Sequence, residues 1–447
     1  MLCNRLHHVA RIDLNQATRT SLRRFLRHQS SATHAPSLSS PAQGLKFHSY
    51  FWGNDLWPGT LLWSRRKDRI HSPNQESHLN HNELTRLISS YPPSTSSVSY
   101  KPIERLTFPR LLSVYAQLAK ARLTTLVVLT AMSSFALSPI STTVPVLLST
   151  ALGTTLCSAS ANTFNQIQEV PYDAQMARTR NRPLARRAIT PLHAMGFAVV
   201  TGVAGPVLLW TCVNPLTAVI GTANIVLYAG VYTYLKRVSV LNTWVGSVVG
   251  GLPPLMGWTA CSGHILPDTS EPLKLFLPSF LTSPDMAALP AIAAMDNILS
   301  PIALFLFLYS WQFPHFNSLS HFVRTSYAQA GYRMLSLVNP PLNALVSLRH
   351  SLLLVSICSI LFPLSGLTTW AFALTSLVPN ALCVKYSWTF WKQPNDKTAR
   401  KVFWASLWYL PVVMGLAMVH KNGLDWTSWF TLKEQDKIHS DEEKQTS

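Results

Sequence analysis

From Leu111 onward the chain is a succession of long apolar runs joined by short polar connections. Wound as a helix, about 20 such residues match the roughly 30 Å hydrocarbon core of a bilayer. No other feature restricts the fold as strongly. Lipid offers no partner to a bare backbone N–H or C=O, so each run must satisfy its own backbone, and a helix does so. Nine candidate spans are delimited: 111–137, 141–161, 193–211, 214–234, 243–261, 298–316, 350–368, 370–390 and 402–420. The expected fold is therefore an all-α integral membrane protein with about nine transmembrane helices. Composition agrees. Only 13% of residues are charged, against about 25% in soluble domains.

The net charge of +18 does not imply a nucleic-acid partner, because of where the charge sits. The connections after spans two, four, six and eight are basic, holding among others Arg186 and Arg187, then Lys236 and Arg237, then Arg324 and Arg333, then Lys397 and Arg400. Of the alternate connections only 262–297 is charged, mainly by Asp268, Glu271, Asp285 and Asp296. The positive-inside rule puts the basic side in the matrix if the protein is mitochondrial. Residues 1–30 fit that location: Arg5, Arg11, Arg19, Arg23, Arg24 and Arg27 face the single acid Asp13, as in a mitochondrial transit peptide. Residues 31–105, rich in Ser, Pro, His and Asn, read as poorly ordered. A membrane domain follows over 108–420, then a polar tail over 421–447. The six cysteines form no CxxC pair and mostly lie in apolar runs, which marks them as small buried hydrophobes.

Where span two ends, the sequence turns to chemistry. Asn165, Glu169 and Asp173 are spaced four apart and would line one helix face, with Asn162 and Gln166 beside them; Pro171 is positioned to bend the chain between the two acids. Acids at the end of a span are costly unless they face a cavity, which makes them functional candidates. Hard oxygen donors stacked in this way suit Mg²⁺, which takes one or two carboxylates plus phosphate oxygens and water. Arg178 and Arg182 follow directly, with Arg186 and Arg187 close behind. Carboxylates to hold a metal, next to guanidinium forks, form a constellation suited to a metal-bound diphosphate. Without a ligand, the same residues would be a solvated helix end carrying positive-inside charge.

The run from Asn162 through Gln166, Glu169, Asp173, Met176, Arg178, Thr179 and Arg182 to Leu184 resembles the first acidic motif of the UbiA prenyltransferase superfamily. The version with Glu169 at its centre is similar to that of the haem-farnesylating branch. Tyr232 to Arg237, Asn242 to Gly246, Gly251 to Trp258 and Trp311 to Asn317 support the same likeness, which covers about 108–420. The resemblance implies a bundle of nine helices with a central cavity opening to the matrix side of the mitochondrial inner membrane. It implies an Mg²⁺-dependent transfer of the farnesyl group of farnesyl diphosphate to a vinyl group of haem B, giving haem O for cytochrome c oxidase. Asn165, Glu169, Asp173, Arg178 and Arg182 become the expected catalytic set, the first three as metal ligands. Asn162, Gln166, Lys120, Arg122, Lys236, Arg237, His315 and Tyr327 become expected substrate contacts. Haem B is a substrate in this scheme and not a cofactor. The lipid bilayer is the surrounding partner, and a homo-oligomer and enzymes of haem A synthesis are further expected partners.

Some positions admit two readings. Lys120 and Arg122 match a family Lys-Pro-Arg pattern in which Ala121 replaces the proline; they reach the diphosphate or snorkel at the interface. His315 either ligates the haem iron, orients the porphyrin or is a structural histidine. Trp258, Tyr309, Trp311 and Phe313 are candidates for an aromatic wall around an allylic cation, or for an interfacial belt. The sequence departs from the family where an acid of a second motif is expected: Thr325 and Ser326 stand before Tyr327. Metal binding is then expected to rest on the first motif and the substrate phosphates. The 262–297 connection reads as an insertion on the intermembrane side. Two alternatives remain at this level: a superfamily member acting on an aromatic quinone precursor, and a non-catalytic membrane haem carrier.

Overall fold

The computed structural model describes residues 107–140, 142–265, 275–278, 281 and 297–424. The expected transit peptide, the 31–105 region and most of both the 262–297 insertion and the polar tail lie outside the described residues. Among the described residues ten main helices follow one another: α1 (Phe108–Leu118), α2 (Ala121–Leu137), α3 (Val144–Asp173), α4 (Pro191–Cys212), α5 (Pro215–Val238), α6 (Asn242–Ser262), α7 (Leu299–Phe322), α8 (Pro340–Leu364), α9 (Leu377–Lys392) and α10 (Asp396–Val419). Short helical pieces, among them Arg324–Gln329 and Leu335–Val338, fill the connections.

The helices begin where local chemistry allows. Thr190, Asn214, Asn339 and Asn395 cap α4, α5, α8 and α10 with side-chain oxygens that accept a backbone N–H of the first turn. Proline occupies the first turn of α1, α3, α4, α5 and α8, where its missing N–H costs nothing.

Among the described residues, α3, α4, α5, α8 and α10 are long and apolar enough to cross a bilayer, and α1 with α2 makes a sixth span if the bent pair counts as one. The other three expected spans fall on α6, α7 and α9, which are helical but do not meet that standard. α6 carries Asn242, Thr243, Pro253 and Pro254, α7 carries Gln312, His315 and Asn317, and α9 has 16 residues. The polar positions of α6 and α7 turn inward, so these two helices need less apolar surface for lipid.

Packing divides the bundle into two lobes. In the first, α3 lies between α2 and α4, and α6 packs on α2 and α5; in the second, α7 packs on α8 and α10, with α9 between them. The lobes meet where α6 lies along α7 and α10 touches α2. Lys421, just after α10, fastens this junction by donating to Ala136 O (2.8 Å) and Ser138 O (2.7 Å) at the C-terminus of α2. Phe307, Phe362, Phe372 and Tyr409 fill the second lobe. Val200, Val203, Trp210, Trp404 and Trp408 point outward. Lipid is as apolar as these side chains, so close packing and small residues, not hydrophobic transfer, hold the helices together.

Cys157, Cys358 and Cys383 are buried as expected, whereas Cys261 is half-buried and Cys212 exposed; all five cysteines in the described residues carry free thiols.

Candidate active site

α3 does not stop at its apolar part. It runs through Pro171 to Asp173 as one 30-residue helix, so the anticipated bend between the acids does not interrupt it. Asn165, Glu169 and Asp173 therefore fall one turn apart on one face, and all three are buried. A lone buried carboxylate would be prohibitively costly. Two other segments supply the counter-charge. Arg182 Nη1 lies 2.6 Å from Asp173 Oδ2 and 3.4 Å from Glu169 Oε2, and Lys236 Nζ lies 2.7 Å from Glu169 Oε1. The guanidinium of Arg182 is held above its ordinary pKa: burial opposes its charge, but Asp173 and Glu169 outweigh burial. Among the described residues the buried Asp173 Oδ1 has no hydrogen-bond partner, which leaves one carboxylate oxygen unclaimed.

Asn165 extends the ladder. Its Oδ1 accepts from Lys120 Nζ (2.8 Å), and its Nδ2 donates to Thr233 Oγ1 (3.0 Å). Lys120 reaches this point because α1 and α2 meet at a 57° bend with Lys120 itself in the left-handed region (φ 49°). Such a backbone persists in a non-glycine residue only when its surroundings hold it. Here Gln166 Nε2 donates to the carbonyls of Gln117 (3.0 Å) and Leu118 (2.8 Å), and Asn162 Nδ2 donates to the carbonyl of Ala119 (3.2 Å). These two amides, expected as substrate contacts, also hold carbonyls at the end of α1 and so aim Lys120. Gln166→Ala is expected to lower stability by about 1–2 kcal/mol through the lost hydrogen bonds, read as a drop in melting temperature in detergent. Activity should fall further than the small stability loss accounts for.

α5 contributes through a turn of π-helix at Leu227–Tyr232, a device common at functional sites. Thr233 Oγ1 donates to the Tyr228 carbonyl (2.8 Å) there. The Tyr228 hydroxyl accepts from Lys120 (3.2 Å), and the Tyr232 ring lies 4.5 Å from Lys236 Nζ. From the sequence, Tyr228 is not singled out, and Tyr232 and Thr233 receive no role beyond the motif they belong to. A signal was present: Tyr228, Tyr232 and Lys236 are spaced four apart.

The connection after α7 closes the site from the other lobe. Arg333 N donates to Lys236 O (2.8 Å), and Asn242 Nδ2 donates to Arg333 O (2.9 Å), so Asn242 acts as a brace. Tyr332 stands against Tyr172 with ring centroids 5.4 Å apart. Burial, then the charge of Glu169, raises the Tyr332 phenol above its usual pKa. Thr325 is exposed and Ser326 half-buried, and the ladder contacts are made by other residues.

A cavity of about 530 Å³ adjoins the ladder. Asn162, Arg178, Tyr228 and Tyr232 line its polar end; Val127, Cys157 and Met256 line its apolar part. Its lining on α6 extends from Thr243 to Met256, about 20 Å at the rise of a helix.

A family model for the UbiA prenyltransferase family matches residues 126–410. The chain belongs to the UbiA prenyltransferase family. Among its relatives are mitochondrial protohaem IX farnesyltransferases. That of Gibberella zeae is 42% identical over 79% of this chain and 69% of its own length. Those of Yarrowia lipolytica and Eremothecium gossypii are each 42% identical, over 72% and 71% of this chain and 64% and 70% of their own. A solved structure of digeranylgeranylglyceryl phosphate synthase shares the fold, with a TM-score of 0.53 and 16% identity over 69% of this chain and 98% of its own.

For this UbiA-family chain, the expected site residues separate into three groups. Lys120, Asn165, Glu169, Asp173, Arg182 and Lys236 meet in one buried cluster. Arg178, His315 and Asn162 line the cavity. Arg178, expected against the acids, reaches the Tyr327 hydroxyl at 3.5 Å. Arg237 separates from Lys236 and turns to the Tyr172 hydroxyl (3.1 Å), because neighbouring residues of a helix point in different directions. Arg122 is exposed, away from the cluster. Of the expected aromatic wall only Trp311 lines the cavity; Trp258 and Phe313 are buried in packing, and Tyr309 stacks on Phe305 and meets Phe313 edge to face.

Proposed function

We propose that this protein transfers the farnesyl group of farnesyl diphosphate to a vinyl group of haem B, forming haem O in the mitochondrial inner membrane with the charged end of its cavity toward the matrix. One observation carries the reading: a buried ladder of two acids and their cationic partners, with one carboxylate oxygen unpaired among the described residues, lies behind Asn162, Tyr228 and Tyr232, which line one end of a long cavity with an apolar part. That combination suits an amphiphile with a diphosphate head and an isoprenoid tail. The names of the relatives point to the same reaction.

Mg²⁺ fits the donors present. No group of three or more His, Cys, Asp or Glu forms among the described residues, but an ion carried by diphosphate needs only one or two carboxylates. Asp173, with its unpartnered oxygen, Glu169 and Asn165 would hold it. When bound, the ion supplies Lewis-acid neutralisation of the leaving diphosphate. Arg182, Lys236 and Lys120 stand ready to take up the charge that grows as the C–O bond breaks. Preformed donors of this kind cost no reorganisation during the reaction. The bond electrons leave with diphosphate. The allylic cation forms a C–C bond to the terminal vinyl carbon, and the resulting cation takes a hydroxyl from water, which releases a proton. Tyr228 and Tyr232 present electron-rich rings at the charged end, and the apolar wall shields the cation from premature capture.

The deciding assay uses the full-length protein in lipid nanodiscs with haem B, farnesyl diphosphate and Mg²⁺. Mass spectrometry is expected to find the farnesyl-hydroxyethyl porphyrin, lost on chelation and restored by added Mg²⁺. Folded protein that makes no such adduct would refute the reaction. An adduct on an aromatic quinone precursor alone would reassign the acceptor.

A further inference from the structure

We propose that His315 Nε2 is the axial ligand of the acceptor's iron, which rests on the reading that haem is the acceptor. The argument begins from a tautomer. Ser406 Oγ donates its proton to the backbone carbonyl of Phe403 (2.7 Å). The contact between Ser406 Oγ and His315 Nδ1 (3.0 Å) must then run the other way, with Nδ1–H donating. Nε2 of a neutral ring is left with its lone pair and no proton. Metal-binding histidines are held in this way, the second nitrogen donating to a fixed acceptor that sets tautomer and ring plane.

The ring cannot readily turn away. It stacks between Trp311 (centroids 4.8 Å apart, planes 15°) and Phe403 (5.1 Å, 28°). Trp311 is fixed in turn by its Nε1 donating to Ser406 O (2.8 Å). Thus one residue of α10, Ser406, orients both rings on α7. His315 lines the cavity next to Trp311, Phe316, Leu319, Leu407 and Leu410, a largely apolar surface suited to a macrocycle, and among the described residues it is the one imidazole in that lining. Imidazole is a good ligand for haem iron. The other soft or anionic donors are committed elsewhere: Cys157 and Met256 pack against Leu209, Ala218 and Ile220, and Tyr228 and Tyr232 attend the lysines. Coordination at this point would fix the porphyrin plane relative to the diphosphate end of the same cavity.

The test uses the full-length protein in nanodiscs with two probes, haem B and metal-free protoporphyrin IX. Resonance Raman of the ferrous wild-type complex should show an iron–histidine stretching band. In His315→Ala the band should disappear and haem affinity should fall about tenfold or more, while metal-free protoporphyrin binds within about twofold of wild type; added imidazole should restore an iron–nitrogen band. Ser406→Ala, which keeps the histidine, should shift the band. A wild-type ferrous complex that forms product but shows no such band overturns the ligand assignment and leaves the reaction standing, whatever the folding of the variants. A band that persists in His315→Ala also overturns it. Wild type that takes up neither porphyrin overturns both the ligand and haem as acceptor.

Discussion

Glu169→Gln is expected to reduce kcat/KM for prenyl transfer by about 10³-fold or more, the scale of losing a preorganised charge contact in a dry site. Glu169 is the middle rung: it accepts from Lys236 on one oxygen and from Arg182 on the other. The amide has the same shape but no charge, and one of its two heavy atoms can no longer accept. Lys236 and Arg182 would then lose their shared anion inside the protein. Removing one member of a buried pair costs about 3–5 kcal/mol, so the melting temperature should fall as well. A purely structural role for the ladder makes a different forecast. Replacing both members, as in Glu169→Gln/Lys236→Met, removes the stranded charge and should return the melting temperature toward wild type. Activity should stay lost, because the site then lacks both a metal-holding carboxylate and a cation for diphosphate. If the double variant regains activity along with stability, the ladder only supports the fold.

Gly257→Ala is expected to be the most damaging single methyl addition among the described glycines. A Cβ on Gly257 would run into the backbone carbonyl of Ala131, and it would also lie 3.1 Å from Phe135 N. Both are main-chain atoms of α2, so no side chain can move aside; the helices themselves would have to part. Overpacking of a tight core costs about 1–3 kcal/mol, and a backbone clash belongs at or above the top of that range. The bend at Lys120 rides on α2, so a displaced α2 would also pull Lys120 from Asn165. The comparison is Gly196→Ala on α4, where an added Cβ meets nothing within 4 Å among the described residues. There the gain in helix propensity, up to about 1 kcal/mol, should leave stability unchanged or slightly raised. Melting temperatures of the two variants in one detergent decide the matter. Equal behaviour would mean that α2 and α6 do not approach as closely as described.

The local part of the site was legible because it depends on one helix. Asn165, Glu169 and Asp173 share a face through their spacing alone, and the paired basic connections announced cationic partners. Which cation would meet which acid was not legible. Arg178 follows the acids more closely in sequence than Arg182, yet Arg182 makes the ion pairs, since the course of the connection after α3 sets the reach of each side chain. Likewise Lys236 and Arg237 are neighbours, and one turns in while the other turns to Tyr172.

Apolar run lengths thus determined by themselves a helical membrane protein and the approximate place of most helices, though not the break between α1 and α2, because lipid leaves the backbone one local solution. Tertiary structure alone decided that Asn162 and Gln166 brace a broken helix, that a π-turn brings Tyr228 to Lys120, and that Ser406 sets the proton on His315. Each of these depends on contacts between residues far apart in the chain, and hydropathy and helical periodicity carry no information about which distant atoms will supply a missing hydrogen-bond partner.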